Sequence, residues 1–127
     1  MSIGASAADR RSATGVRIWL FGHFRVEVDG SVVPPGAWSR SKARALVKVL
    51  ALAHAHRRHR EQLMDELWPA LGPTAAAANL RKAIHFARRA VGAEHIVVRH
   101  ELVELAGSDV WVDVDAFDTG GGAAGEV

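Results

Sequence analysis

Residues 75–92 read AAAANLRKAIHFARRAVG, and the fold turns on how that run is placed. Alanine is the strongest helix former, Thr74 ahead of the run is a good cap, and Gly92 behind it is a stop signal. A helix is therefore predicted from about Ala75 to Val91. At about 100° per residue, Leu80, Ile84, Ala87 and Val91 share one face, with Ala83 and Ala90 beside them. Lys82, His85 and Arg89 lie opposite, flanked by Arg81 and Arg88. The apolar stripe demands a partner to pack on, and packing it turns the cationic stripe outward.

Upstream, the period is first that of strands and then that of helices. In VRIWLFGHFRVEVD, from Val16 to Asp29, Phe24, Val26 and Val28 alternate with Arg25, Glu27 and Asp29, as Val16, Ile18 and Leu20 do before Gly22. The Asp29-Gly30 pair tolerates positive φ at both positions and signals a hairpin, with SVVP as a short third strand. Pro34-Pro35-Gly36 ends the sheet. Ala43, Leu46, Val47, Leu50 and Ala53 then fall at helical steps, with Arg40, Lys42, Arg44 and Lys48 off the stripe and Ser39 or Ser41 as cap. A turn, HAHRRHR, leads to a second helix, REQLMDELW, whose apolar side is Leu63, Met64 and Leu67 and which Pro69, Gly72 and Pro73 terminate. Downstream, IVVRH and LVEL read as a hairpin around Glu101, and VWVDV as a further strand. Residues 1–15 are expected to be a flexible lead, 16–117 one domain, and 118–127 a flexible glycine-rich tail.

The 127 residues suit one domain with its own core, and 49% hydrophobic with 24% charged residues is a globular composition. Without cysteine, disulfides, thiolate metal sites and a nucleophilic thiol are excluded. The start of the chain lacks the apolar core of a secretory signal, and ALVKVLALAHA is too short and too interrupted to span a bilayer, so a cytoplasmic location without membrane contact is expected. The formal net charge of +2 conceals a strong asymmetry: residues 1–39 sum to +1, residues 40–100 to +8 and residues 101–127 to −7. A central block this basic in so small a domain is the footprint of a polyanion-binding surface, or a solvated basic face.

An N-terminal sheet, three helices and a C-terminal hairpin, the third helix basic on its outer side, make an α+β arrangement. Its expected form is a winged helix-turn-helix with an N-terminal antiparallel β-sheet and a C-terminal β-hairpin wing. A helix of this kind enters the major groove of double-stranded DNA, where Arg and Lys reach guanine acceptors and Asn pairs with adenine. The stretch Val16 to Phe117 resembles the N-terminal winged-helix domain of bacterial SARP-type activators, which shares the OmpR-type fold. The residues that carry the resemblance are VRIWLFGHFRVEVDG, RSKARALVKVLAL, HREQLMDELWP and above all AAAANLRKAIHFARRAVG.

The resemblance implies a transcription factor's DNA-binding domain: third helix in the major groove, wing on the adjacent backbone or minor groove, and loop 69–74 (PALGPT) available to RNA polymerase. It assigns Asn79, Arg81, Lys82, His85, Arg88 and Arg89 to the reading helix and Arg99 and His100 to the wing. Lys82 and His85, central on the exposed face, are the expected base contacts, and Arg88 and Arg89 the phosphate contacts. In the larger members a long helical activation region follows, whereas this chain ends within ten residues of Phe117, which fits a free-standing binder or a fragment of a longer regulator. Monomer and homodimer on DNA both remain open.

Other signals weigh less. His54, His56 and His59 invite a metal, but interleaved arginines repel a cation, and no metal or cofactor is expected. Trp19, Trp38, Trp68 and Trp111 adjoin apolar runs or element ends and read as core anchors, Trp68 locking the second helix against the sheet. Asp109, Asp113, Asp115 and Asp118 lack the partners that acid-base catalysis needs, and simple repulsion turns that end away from DNA, or toward a basic partner. TGGGAAG lacks the Lys-Ser/Thr ending of a phosphate loop, and no enzyme is expected. The competing reading is a protein-interaction module whose basic helix meets an acidic surface.

Overall fold

The computed structural model describes residues 15–38 and 41–115. Residues 1–14, Ser39, Arg40 and 116–127 are not described, so the flexible lead, the Ser39 cap, Phe117, Asp118 and the glycine-rich tail lie outside the described residues. The elements in chain order are β1 (Val16–Trp19), β2 (Arg25–Val28), β3 (Ser31–Val32), α1 (Ala43–Leu52), β4 (Arg57–His59), α2 (Arg60–Leu67), α3 (Pro73–Val91), β5 (Ile96–Arg99), β6 (Leu102–Leu105) and β7 (Val110–Val112). Short 3-10 turns occupy Pro35–Trp38, His54–His56 and Ala93–His95. The class is α+β. Among the described residues no helix is long and apolar enough to cross a membrane. The described residues cluster into two compact units, one holding residues 15–33 and 108–115 and the other residues 34–38 and 41–107.

The first unit is a four-stranded sheet in the order β3-β2-β1-β7. Antiparallel pairing sets Val16 opposite Val28 and Ile18 opposite Val26, so the alternation in the sequence becomes one buried face: Val16, Ile18, Val26 and Val112 are each at most 3% exposed. Asp29 and Gly30 form the two-residue turn between β2 and β3, at φ 51° and 86°, where the right-handed twist of the strands wants positive φ at both positions. β7 joins the far edge in parallel with β1, Val16 opposite Val110 and Ile18 opposite Val112. Gly15 makes that junction possible: a Cβ there would lie 2.1 Å from the carbonyl oxygen of Asp109. Val16 N–H donates to the same oxygen at 3.0 Å.

The other face of this sheet holds Arg17, Trp19, Arg25, Glu27 and Trp111. The Trp19 and Trp111 rings are tilted by 58° with centroids 5.3 Å apart, and the Arg17 guanidinium sits 5.2 and 5.1 Å from them. Arg25 lies 4.1 Å from the Trp19 ring and 3.5 Å from Glu27. These two tryptophans are thus half-buried cation–π partners on the outer face rather than core anchors. Trp38, at 4% exposure, is the one the core takes in.

The second unit packs α1, α2 and α3 with a three-stranded sheet in the order β4-β6-β5. α1 buries Ala43, Leu46, Val47, Leu50 and Ala51, the stripe expected of it with Ala53 replaced by Ala51. Ser41 supports its start, its Oγ accepting from Ala43 N–H at 3.3 Å and donating to the Trp38 carbonyl at 3.1 Å. Leu63 and Leu67 anchor α2, while Met64 stays half-exposed. Leu80, Ala83, Ile84, Ala87 and Val91 anchor α3 as expected, joined by Ala76.

Two features differ from the expectation. α3 begins at Pro73 with Gly72 as cap, so Thr74 lies inside the first turn. Proline suits that first position because its fixed φ is already helical and its missing N–H would have had no partner. The HAHRRHR run contains β4, which pairs antiparallel with β6, Arg57 opposite Glu104 and His59 opposite Leu102. Three consecutive polar residues show no apolar alternation, so the pattern hides the strand. His59 then starts α2: its Nδ1 accepts from Glu61 N–H at 3.2 Å, while Gln62 Oε1 accepts from His59 N–H at 3.2 Å.

Candidate nucleic-acid interface

α3 is 19 residues long, about 28 Å at 1.5 Å per residue, and its outward side carries several cationic side chains. Burial of the Leu80–Ile84–Ala87–Val91 stripe fixes its rotation. Arg81, Lys82, His85 and Arg89 are left exposed along it, with Asn79 half-exposed. Helical spacing separates these into two rows. Arg81, His85 and Arg88 run toward the β5–β6 hairpin, where they border a groove of about 400 Å³. Asn79, Lys82 and Arg89 form the neighbouring row with Phe86, and Phe86 and Arg89 border a recess beside Gly36 and Ala37.

The residues assigned to reading are not equivalent. Asn79 Nδ2 donates to its own helix, to the Ala75 carbonyl at 3.0 Å, so it must break a local bond before it reaches outward. His85 meets Phe86 edge to face at 5.1 Å. Arg88 is half-buried and its Nε donates to the Ile96 carbonyl at 2.9 Å, tying the last turn of α3 to β5. Arg88 therefore positions the hairpin as well as adding charge. Lys82 and Arg89 stand exposed.

The hairpin supplies the second part of the surface. β5 and β6 pair from Ile96 opposite Leu105 to Arg99 opposite Leu102, with His100 and Glu101 at the turn and His100 at φ 57°. Arg99 and His100 are both exposed at this tip. The tip is held to α2: Arg60 N–H donates to the Glu101 carbonyl at 2.8 Å, and the Arg60 guanidinium lies 3.8 Å from the Glu101 carboxylate. The arrangement brings Arg81, His85 and Arg88 of α3 together with Arg60, the first residue of α2, which sequence reasoning did not include in the site. Its signal was available in the His59–Gln62 cap, which places Arg60 at the first helical position and hence beside the hairpin turn.

His56, His95 and Asp113 have structural partners. His56 Nδ1 lies 3.3 Å from the Leu50 carbonyl, and buried His95 has Nδ1 3.1 Å from the Ala106 carbonyl. Among the described residues no group of three or more His, Asp or Glu is placed to hold a metal ion. Asp113 is 8% exposed and accepts from the backbone N–H groups of Leu20 and Phe21 at 2.9–3.0 Å. It is a clasp inside the first unit, not a repelling surface charge. Of the segment 69–74, residues 69–72 connect α2 to α3 and Pro73 and Thr74 are the first turn of α3; Leu71 is 42% exposed, beside a cleft of about 240 Å³ that Trp68, Met64 and Pro73 line with Glu61 and Asp65. Lys42 Nζ lies 6.0 Å from the Trp68 ring and donates to the Leu67 carbonyl.

No protein-family model matches this chain, and no curated protein matches it either.

Proposed function

We propose that this chain is a winged helix-turn-helix that binds double-stranded DNA with sequence preference, for the control of transcription in the cytoplasm. In this reading α2 and α3 are the helix-turn-helix, α3 lies in the major groove, and the β5–β6 hairpin is the wing on the adjacent backbone or minor groove. The observation that carries it is the exposed side of one helix bearing Arg81, Lys82, His85 and Arg89, in the same compact unit as Arg99 and His100, which are exposed at the hairpin tip beside Glu101. A duplex spans two such elements at once, because a helix fills a groove about 12 Å wide while the flanking phosphates lie within reach of a hairpin beside it. The tie from Arg60 to Glu101 and from Arg88 to Ile96 supports the reading, since it fixes helix and hairpin in one frame before DNA arrives.

Lys82 is assigned to base edges, Arg89 and Arg99 to phosphates, and His85 to base edges on the row nearer the hairpin. The exposed loop 69–74 is assigned to contact with RNA polymerase. The test is fluorescence anisotropy of the chain with a labelled random duplex and with the DNA upstream of its own gene, across a salt series. The two phosphate contacts, Arg89 and Arg99, predict a slope of log K against log salt of about −2, with tighter binding to the upstream duplex. Absence of binding at low salt would reject the reading in favour of an acidic protein partner for α3.

A further inference from the structure

The groove between α3 and the β5–β6 hairpin has a chemical character that a nucleic-acid backbone uses only in part. Its rim is cationic through Arg60, Arg81 and Arg88, with His85 beside them, and no carboxylate is among the described residues that line it. Its floor is apolar, built by Leu80, Ile84 and Val103, each at most 8% exposed, with Val98 at its mouth 43% exposed. A phosphodiester answers the charge and leaves the hydrocarbon floor largely without a partner. The volume of about 400 Å³ falls in the range of roughly 300–1,000 Å³ usual for small-ligand sites.

We propose that this groove binds an organic anion with an apolar body, of the class of a medium-chain carboxylate. The chain of the ligand covers Val98 and the Leu80–Ile84 surface. The carboxylate is taken by the Arg81 guanidinium, with Arg60 and His85 on either side of it. Arg88 is already oriented by its bond to the Ile96 carbonyl, so part of the cationic rim is in place before the ligand enters. The Arg60 guanidinium exchanges a loose contact with Glu101, 3.8 Å away and exposed, for the incoming carboxylate.

His85, which the proposed DNA complex sets against base edges, borders the same groove, so ligand and duplex exclude one another. That second half rests on the DNA-binding reading, whereas the binding of the ligand does not. The test is calorimetric titration of the whole chain with decanoate below its micellar concentration, beside acetate, which lacks the body, and decyltrimethylammonium, which reverses the charge. Decanoate is expected to bind saturably at one site per chain, and the two controls to give no binding isotherm. Arg81→Ala, at an exposed position, weakens decanoate about tenfold through loss of one charge-assisted bond. Val98→Glu places a carboxylate at the mouth of the groove and abolishes binding, with circular dichroism showing that each variant is folded.

No decanoate binding, equal binding of the cationic control, or unchanged affinity in both variants would overturn the site. Decanoate that binds and leaves a bound duplex in place would overturn the competition alone. A chain that takes decanoate and no duplex would keep the site and reject the DNA-binding reading.

Discussion

Replacing Asp113 by Asn tests the clasp that closes the first unit. Leu20 N–H lies 2.9 Å from each carboxylate oxygen, and Phe21 N–H lies 3.0 Å from Oδ2. The amide of Asn has one acceptor oxygen. Set at the Oδ2 position it still serves both donors, but its NH2 then faces Leu20 N–H, and the charge on the acceptor is gone. The loss is one charge-assisted hydrogen bond at a site 8% exposed, about 1.5–3 kcal/mol. Asp113→Ala strands both donors and should cost about 3 kcal/mol or more, for the same reason. Urea unfolding followed by the fluorescence of Trp19 and Trp111, which sit on the sheet the clasp closes, measures both. A loss under about 0.5 kcal/mol for Asp113→Asn would refute the reasoning, since an exposed carboxylate costs no more than that.

The other predictions concern the second unit and its surface. Leu80→Ala removes a side chain 2% exposed between α3 and its packing partners and should destabilise the chain by about 2–5 kcal/mol in the same urea assay. His59→Ala removes the cap of α2 and should cost about 0.5–2 kcal/mol, leaving Glu61 N–H without its acceptor. In DNA binding, Lys82→Ala should weaken the preferred duplex by about 1–3 kcal/mol and the random duplex far less. Arg89→Ala should weaken every duplex alike and lower the salt slope by about one unit. Equal losses on all sequences from both changes would remove that division of roles.

Much of the fold was legible because the decisive signals are local. Asp29-Gly30 announces its turn through two residues that accept positive φ, and the Leu80–Val91 stripe announces α3 through its period. The start of α3 was misplaced because Thr74 is a good cap by side chain, yet Pro73 already satisfies the first helical position by backbone geometry. β4 was hidden since its partner β6 lies more than forty residues along the chain and its own three residues are polar. The parallel seat of β7 against β1 is likewise a long-range pairing that no local pattern encodes.

The site was legible in charge and not in attachment. The exposed row on α3 follows from the apolar stripe alone. That Arg88 is half spent on the Ile96 carbonyl, that Asn79 is bonded to its own helix, and that Arg60 joins the groove all depend on contacts made across elements. Asp113 was misread for the same cause: its carboxylate looks like a surface charge until the N–H groups of Leu20 and Phe21 are beside it.

The most direct test of the central claim is amide chemical-shift mapping of the labelled chain against a duplex selected from a random pool. The account predicts that residues 80–89 of α3 and 99–101 at the hairpin tip shift together and saturate at the same DNA concentration. Shifts confined to the sheet of the first unit or to loop 69–74, with α3 unmoved, would contradict it.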